Sequence, residues 1–193
     1  GVQTCALPIY CMVAIQPQLN KNDSLFIVVN GTTDESTLRR WQYAADKTKV
    51  LYYPNDKGSY SARNYGINFS DSDYVVFTDD DAIPAKNWLE SIRKVITGNS
   101  SPDIIGGYID EGSNAYSGWG KTDAFICCNL IVKRTLFNCN LFKEVASSED
   151  VAFCLRSKNA GKIVISDASI VVRHKEVSYS TLLLKYMRYG TSY

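Results

Sequence analysis

Three short, continuously apolar runs, each bounded by turn formers and followed by a stretch of helical periodicity, limit most strongly what this chain can become. The runs are Leu25–Val29 (LFIVV), Val50–Tyr53 (VLYY) and Tyr74–Thr78 (YVVFT). Runs of this kind read as strands covered on both faces, as in a parallel sheet. After the first, Gly31–Asp34 forms a turn, and Asp34 or Ser36 can cap a helix reaching about Asp46. After the second, Tyr60–Asn68 reads as a helix. After the third, Pro84 opens a helix carrying Trp88, Leu89, Ile92 and Ile96 on one face. Three strand-then-helix units in succession imply an α/β fold with right-handed crossovers.

The rest of the chain is less regular. Cys11–Leu19 suggests the tail of a helix ended by Pro17 and the Asn-rich segment after it. Ile104–Ile109 and Phe125–Val132 read as strands around a Gly/Ser/Asn-rich loop, Asp110–Asp123. Glu149–Ala160 reads as a helix stopped by Gly161, Lys162–Ile165 and Ser169–Arg173 as strands, and Thr181–Tyr189 as a last helix. The 193 residues suffice for one domain, and a net charge of +1 with no basic stripe excludes a nucleic-acid partner from the expectations. No run of eighteen apolar residues occurs, so no transmembrane segment is expected in this stretch. Six cysteines and one histidine lack zinc-finger spacing. They read as structural thiols of a reducing compartment, which places the protein in the cytoplasm, with the inner face of the membrane open to it.

Residues 1–9 (GVQTCALPI) have no basic n-region and no long apolar run. They resemble the translation of a common synthetic sequencing adapter, whose last base requires a following codon beginning with T. Tyr10 meets that requirement. The segment is therefore expected to be a non-native artefact, with the native domain running from residue 10 to 193.

Ligands of open parallel sheets bind beyond the carboxyl ends of the strands, and there the third strand ends in Asp79, Asp80 and Asp81. Adjacent carboxylates repel, and an oxygen-preferring divalent cation removes that penalty. In an extended segment Asp79 and Asp81 point the same way, which makes them the expected pair. A solvated acidic turn capping the next helix is the plain alternative.

One helix upstream stands G-S-Y-S-A-R-N-Y-G (Gly58–Gly66). Farther on come Ile105-Gly106-Gly107, Asn129 with Lys133-Arg134, Glu149-Asp150-Val151-Ala152-Phe153-Cys154-Leu155-Arg156, Val172-Arg173-His174, and Tyr186-Met187-Arg188-Tyr189-Gly190. In this order, and together with the D-x-D, these segments resemble family 2 of the glycosyltransferases over about Leu25 to Gly190. The resemblance implies a GT-A fold, a mostly parallel mixed sheet flanked by helices, with the family's first strand missing. It implies inverting transfer of a sugar from a nucleotide-diphosphate sugar to an acceptor hydroxyl, assisted by Mg²⁺ or Mn²⁺, with a UDP-sugar as the leading donor. The acceptor is expected to be a glycan, lipid-linked or protein hydroxyl.

By the same resemblance Asp81 binds the metal, Asp79 contacts the ribose and the metal shell, and Arg63 lies near the nucleotide. Asp150 is the general base and Glu149 orients the acceptor or the helix. His174 ends a strand where several GT-A enzymes place a metal or pyrophosphate contact. The family's base-contacting aspartate falls on Val29 or is replaced by Asn30, the candidate contact to the nucleotide. Each has a plainer reading. Arg63 could form a helix ion pair, Glu149 and Asp150 could be first-turn acids drawn by the helix dipole, and His174 could be a satisfied polar group. A catalytically silent sugar-binding module and a metal-dependent nucleotidyltransferase are the competing functions.

Overall fold

The computed structural model describes residues 7–31, 48–54, 58–98, 101–110, 125–143 and 149–174. Helices are α1 (Leu7–Ile15), α2 (Ser59–Ile67), α3 (Trp88–Ile96) and α4 (Glu149–Asn159). Strands are β1 (Leu25–Asn30), β2 (Thr48–Tyr53), β3 (Tyr74–Phe77), β4 (Ala82–Pro84), β5 (Ile104–Asp110), β6 (Leu130–Lys133) and β7 (Val164–His174). The helices expected to end near Asp46 and to span Thr181–Tyr189, and nearly all of the Gly-rich loop, lie outside the described residues.

All three apolar runs are strands, but they do not share one sheet. β1 and β2 pair in parallel by themselves, Leu25 opposite Thr48 through Asn30 opposite Tyr53. β3 belongs to a mixed five-stranded sheet of order β3-β6-β5-β7-β4. There β5 and β7 run parallel, and the other three pairings are antiparallel.

Alternation along β5 and β6 builds a core on each face of this sheet. Ile105 and Ile131 point to one side with Trp88, Ile92, Ala82, Ile170 and Val172, under α1 and α3. Ile104, Leu130 and Val132 point to the other, against Ile67, Phe137, Phe142 and Phe153. The last three rings pack with centroids 4.9–5.8 Å apart, a separation at which tilted and offset aromatic pairs attract.

A single buried amide joins the layers. Asn129 accepts from Trp88 Nε1 at 2.9 Å and donates from Nδ2 to the carbonyls of Tyr108 and Ile170, each at 2.9 Å. Room for it comes from Gly107, where an added Cβ would lie 2.2 Å from Asn129 Nδ2 and 2.6 Å from the Ile170 carbonyl. At Gly106 the same atom would lie 1.7 Å from the Phe125 ring. Because a backbone oxygen cannot move aside cheaply, Gly107→Ala is expected to cost about 1–3 kcal/mol. At the solvent-side Gly98 the nearest neighbour to a Cβ is 3.2 Å away, so Gly98→Ala serves as the control. Urea denaturation of both variants checks this; equal midpoints would remove steric exclusion as the reason for the glycine.

Three local expectations are corrected. Pro84 does not open a helix: it ends β4, an edge strand where its missing N–H breaks no ladder bond, and α3 begins at Trp88. The expected strand Phe125–Val132 holds a 3₁₀ turn, Cys127–Asn129, before β6 begins. The two strands expected within 162–173 form one, β7, with its irregularity opposite Gly107 and Tyr108.

Candidate active site

The motif upstream of the acids divides its labour. Ala62 is buried, and Asn64 clamps a distant segment by donating to the Phe142 carbonyl (2.8 Å) and accepting from the Phe142 N–H (3.2 Å). Gly66 lets α2 lie close to β1, since a Cβ there would meet Val28 at 2.9 Å. Arg63, largely buried, reaches the carboxylates. Its guanidinium donates to Glu149 Oε1 at 2.5 Å and to Asp79 Oδ1 at 3.2 Å. Ser59 Oγ donates to the same Glu149 oxygen at 2.8 Å. Burial alone would lower the Arg63 guanidinium. The electron-rich ring of Cys127, Asp79, Glu149 and Asp150 outweighs it and holds the group above its ordinary value.

The three acids do not continue β3 as an extended segment. Ala82 N–H returns to the Asp79 carbonyl at 3.2 Å, so Asp79–Ala82 is a tight turn into β4. The alternation argument for Asp79 and Asp81 therefore fails on conformation, although both still face the same group. Pairing of Ala82 with His174 carries the histidine to the turn, and His174 Nε2 lies 3.2 Å from Asp81 Oδ1. Burial pushes the Asp79 carboxyl up, against the pull of Arg63, with Asp81 pushing the same way as burial. Burial, then Asp81 and Asp79, pushes the Asp80 carboxyl up as well. Negative charge is thus held here at a cost, the electrostatic condition under which a divalent cation is favoured. An oxygen of Asp79, a ring nitrogen of His174 and the sulfur of Cys128 lie within 4.8 Å of one another.

Asp150 is buried at the start of α4, with 8% of its surface exposed. Its Oδ2 accepts from the Cys127 N–H and its Oδ1 from the Val151 N–H, both at 2.8 Å. Each carboxylate oxygen keeps a second lone-pair direction, so these bonds orient the group without exhausting it.

Arg63, Asp79, Asp81, Glu149, Asp150 and His174 therefore form one connected cluster from four places in the sequence. Asn30 ends β1 in the two-stranded sheet, opposite Tyr53. Cys128 was not among the expected site residues, because an adjacent Cys-Cys pair has none of the spacings that signal a ligand. The thiols of Cys11, Cys127, Cys128, Cys139 and Cys154 are free.

A family model matches most of the chain. Residues 10–161 fit the glycosyl transferase family 2 model. The chain belongs to that family. Glycosyltransferase AglE of Haloferax volcanii is 26% identical over 204 residues, covering 93% of this chain and 66% of the relative. Glycosyltransferase GlyA of Streptococcus pneumoniae serotype 4 is 27% identical over 114 residues, 54% of this chain and 16% of the relative. Among solved structures, mannosyltransferase PcManGT from Pyrobaculum calidifontis, in complex with GDP-Man and Mn²⁺, superposes with a TM-score of 0.80 at 17% identity. It is matched over 100% of this chain and 59% of its own. S. aureus TarS 1-349 with UDP-GlcNAc gives 0.71 at 16% identity, over 89% of this chain and 54% of its own. The fold of the family 2 chain is GT-A, and the chain spans about two thirds or less of each of these proteins' lengths.

Proposed function

We propose that the protein transfers a sugar from a nucleotide-diphosphate sugar to an acceptor hydroxyl, with inversion at the anomeric carbon and with help from a divalent cation. One observation supports this reading above the others: Arg63 bridges the acidic turn after β3 and the acidic start of α4, two features with no structural need to meet. The acceptor oxygen attacks the anomeric carbon as its proton passes to the Asp150 carboxylate. The bond to the diphosphate breaks on the opposite face, and the leaving diphosphate takes the electron pair. Arg63 lies where that charge develops and stabilises it. Glu149 fixes the Arg63 fork and holds the start of α4. Asp79 and His174 would hold Mg²⁺ or Mn²⁺, with Asp81 reached through the histidine; when bound, the ion neutralises diphosphate charge.

Asn30 is proposed as a contact to the nucleotide, and a UDP-sugar as the donor. The mannosyltransferase structure holds GDP-Man with Mn²⁺ and the TarS structure UDP-GlcNAc. These precedents support a nucleotide-sugar donor in general. A glycan, lipid-linked or protein hydroxyl is proposed as acceptor. No helix among the described residues is long and apolar enough to cross a membrane. Residues 1–9 are proposed to be foreign to the native domain; the family match begins at residue 10.

The test is a panel of nucleotide sugars assayed with the protein before and after chelation. Transfer is expected to fall on chelation and to return with Mn²⁺ or Mg²⁺, and Asp81→Ala is expected to abolish the rescue. Chelator-insensitive turnover would refute the metal role, and hydrolysis of the sugar nucleotide with no transfer to any acceptor would refute the transferase reading.

A further inference from the structure

Two ladders meet at Cys128. The β3–β6 ladder ends with Phe77 opposite Leu130, and the acidic turn after β3 and the 3₁₀ turn before β6 follow directly from that end, so Asp79 and Cys128 come close there. The β4–β7 register brings His174 to the same place by way of Ala82. The side chains so aligned each offer one ligand atom, and the oxygen, sulfur and nitrogen lie within 4.8 Å of one another. On a tetrahedral ion with bonds of about 2.0–2.3 Å, neighbouring ligand atoms stand about 3.5 Å apart, so the three need to close by at most about 1.3 Å to share one ion. Cys128 is 3% exposed and is packed in the core that holds Ile105, Ile131, Ile170 and Val172, so the sulfur side of the site is walled by protein.

We propose that the Cys128 thiolate completes the cation site formed with Asp79 and His174, so that this chain takes a zinc-class ion there in preference to Mg²⁺. The inference deepens the metal-assisted reading and shares its site. Its chemistry comes from the donor set. Mg²⁺ requires an octahedron of oxygens, whereas one sulfur, one imidazole nitrogen and one carboxylate oxygen suit Zn²⁺ or Co²⁺. Three protein ligands leave the fourth position for an oxygen of the donor diphosphate or water. On binding, the sulfur–metal bond forms as the thiol proton leaves to solvent. Cys11 is the neighbouring thiol, but its sulfur is directed at the Asp79 carbonyl, 3.6 Å away, and is not one of the three.

The test titrates the metal-free protein with Co²⁺ alone, with no sugar nucleotide present. A sulfur-to-cobalt charge-transfer absorption is expected in the near ultraviolet, saturating at one ion, displaced by Zn²⁺ and untouched by excess Mg²⁺. Cys128→Ser is expected to abolish the band and to weaken Zn²⁺ binding by more than about tenfold, while Cys11→Ser leaves both unchanged. Cobalt binding without the band, a band that survives in Cys128→Ser, or no cobalt binding at all overturns the proposal. If Cys128→Ser does not fold, the ¹¹³Cd resonance of the cadmium-loaded wild type reads sulfur ligation directly, and a shift typical of oxygen and nitrogen ligands alone overturns it. The two readings fail separately. Cobalt bound without sulfur leaves metal-assisted transfer standing, and chelator-insensitive transfer removes that reading while leaving the thiolate site in place.

Discussion

Replacing Asp150 by Asn is expected to lower the transfer rate by about 10²- to 10⁴-fold while leaving nucleotide-sugar affinity nearly unchanged, since a base acts on the acceptor proton and not on the donor. The same substitution carries a structural cost that must be separated from the chemical one. Both oxygens of Asp150 accept backbone N–H groups, from Cys127 and Val151. A carboxamide offers one acceptor, so one of those N–H groups would face the new NH₂. Leaving a buried donor unsatisfied costs about 1–3 kcal/mol.

If Asp150 is only a latch between α4 and the Cys127 turn, lost activity should follow lost stability, and donor binding should weaken in step. If it is the base, kcat should fall in a variant that is still folded at the assay temperature and still binds donor. Thermal melting, donor titration and single-turnover transfer on one preparation distinguish the two. Transfer within tenfold of wild type in folded Asp150→Asn would remove Asp150 as the base.

The parts of this cluster that were legible in the sequence are those carried on regular local structure. Arg63, Glu149 and Asp150 lie on helices whose limits the apolar pattern marks, so their spacing survives folding. The buried runs of β1, β2 and β3 were legible because a continuous apolar segment between turn formers has few other uses. That these strands divide between two sheets was not, because pairing partners are chosen by surfaces far apart in sequence. Pro84 misled for a definite reason: proline is equally at home at the first turn of a helix and in an edge strand, and only the partner strand decides. The turn at Asp79–Ala82 was hidden because three aspartates carry no periodic signal. Cys128 was hidden more deeply, since its place beside Asp79 depends on an antiparallel register between segments about fifty residues apart.

Arg63→Met is expected to destabilise the protein by about 1–3 kcal/mol at pH 7, and by less as the pH is lowered. Methionine fills much of the same volume, so the loss is chiefly that of a cation shared by two carboxylates. Its side chain is 20% exposed, with Asp79 at 35% and Glu149 at 14%, which places the cost below that of a fully buried pair.

The sign of the pH dependence follows from Asp79. Burial already holds its carboxyl above the ordinary value in the folded protein, and Arg63 is the main influence pulling it down. Removing Arg63 therefore raises the folded value further above that of the unfolded chain. A carboxyl with a raised folded value binds its proton more tightly when folded, so its ionised form weakens the fold as pH rises through that value. Below the unfolded value both states carry the proton and the difference vanishes. The deficit of Arg63→Met relative to wild type should thus be full at neutral pH and should shrink as Asp79 regains its proton. Arg63→Lys keeps the charge but has a single ammonium for two carboxylates 86 and 16 residues away in sequence, and should fall between the two. Urea denaturation of the three proteins at pH 7 and pH 5 reads the effect. A deficit that is constant with pH, or larger in acid, would mean that Arg63 contributes by packing and that its charge does not hold the acidic turn to α4.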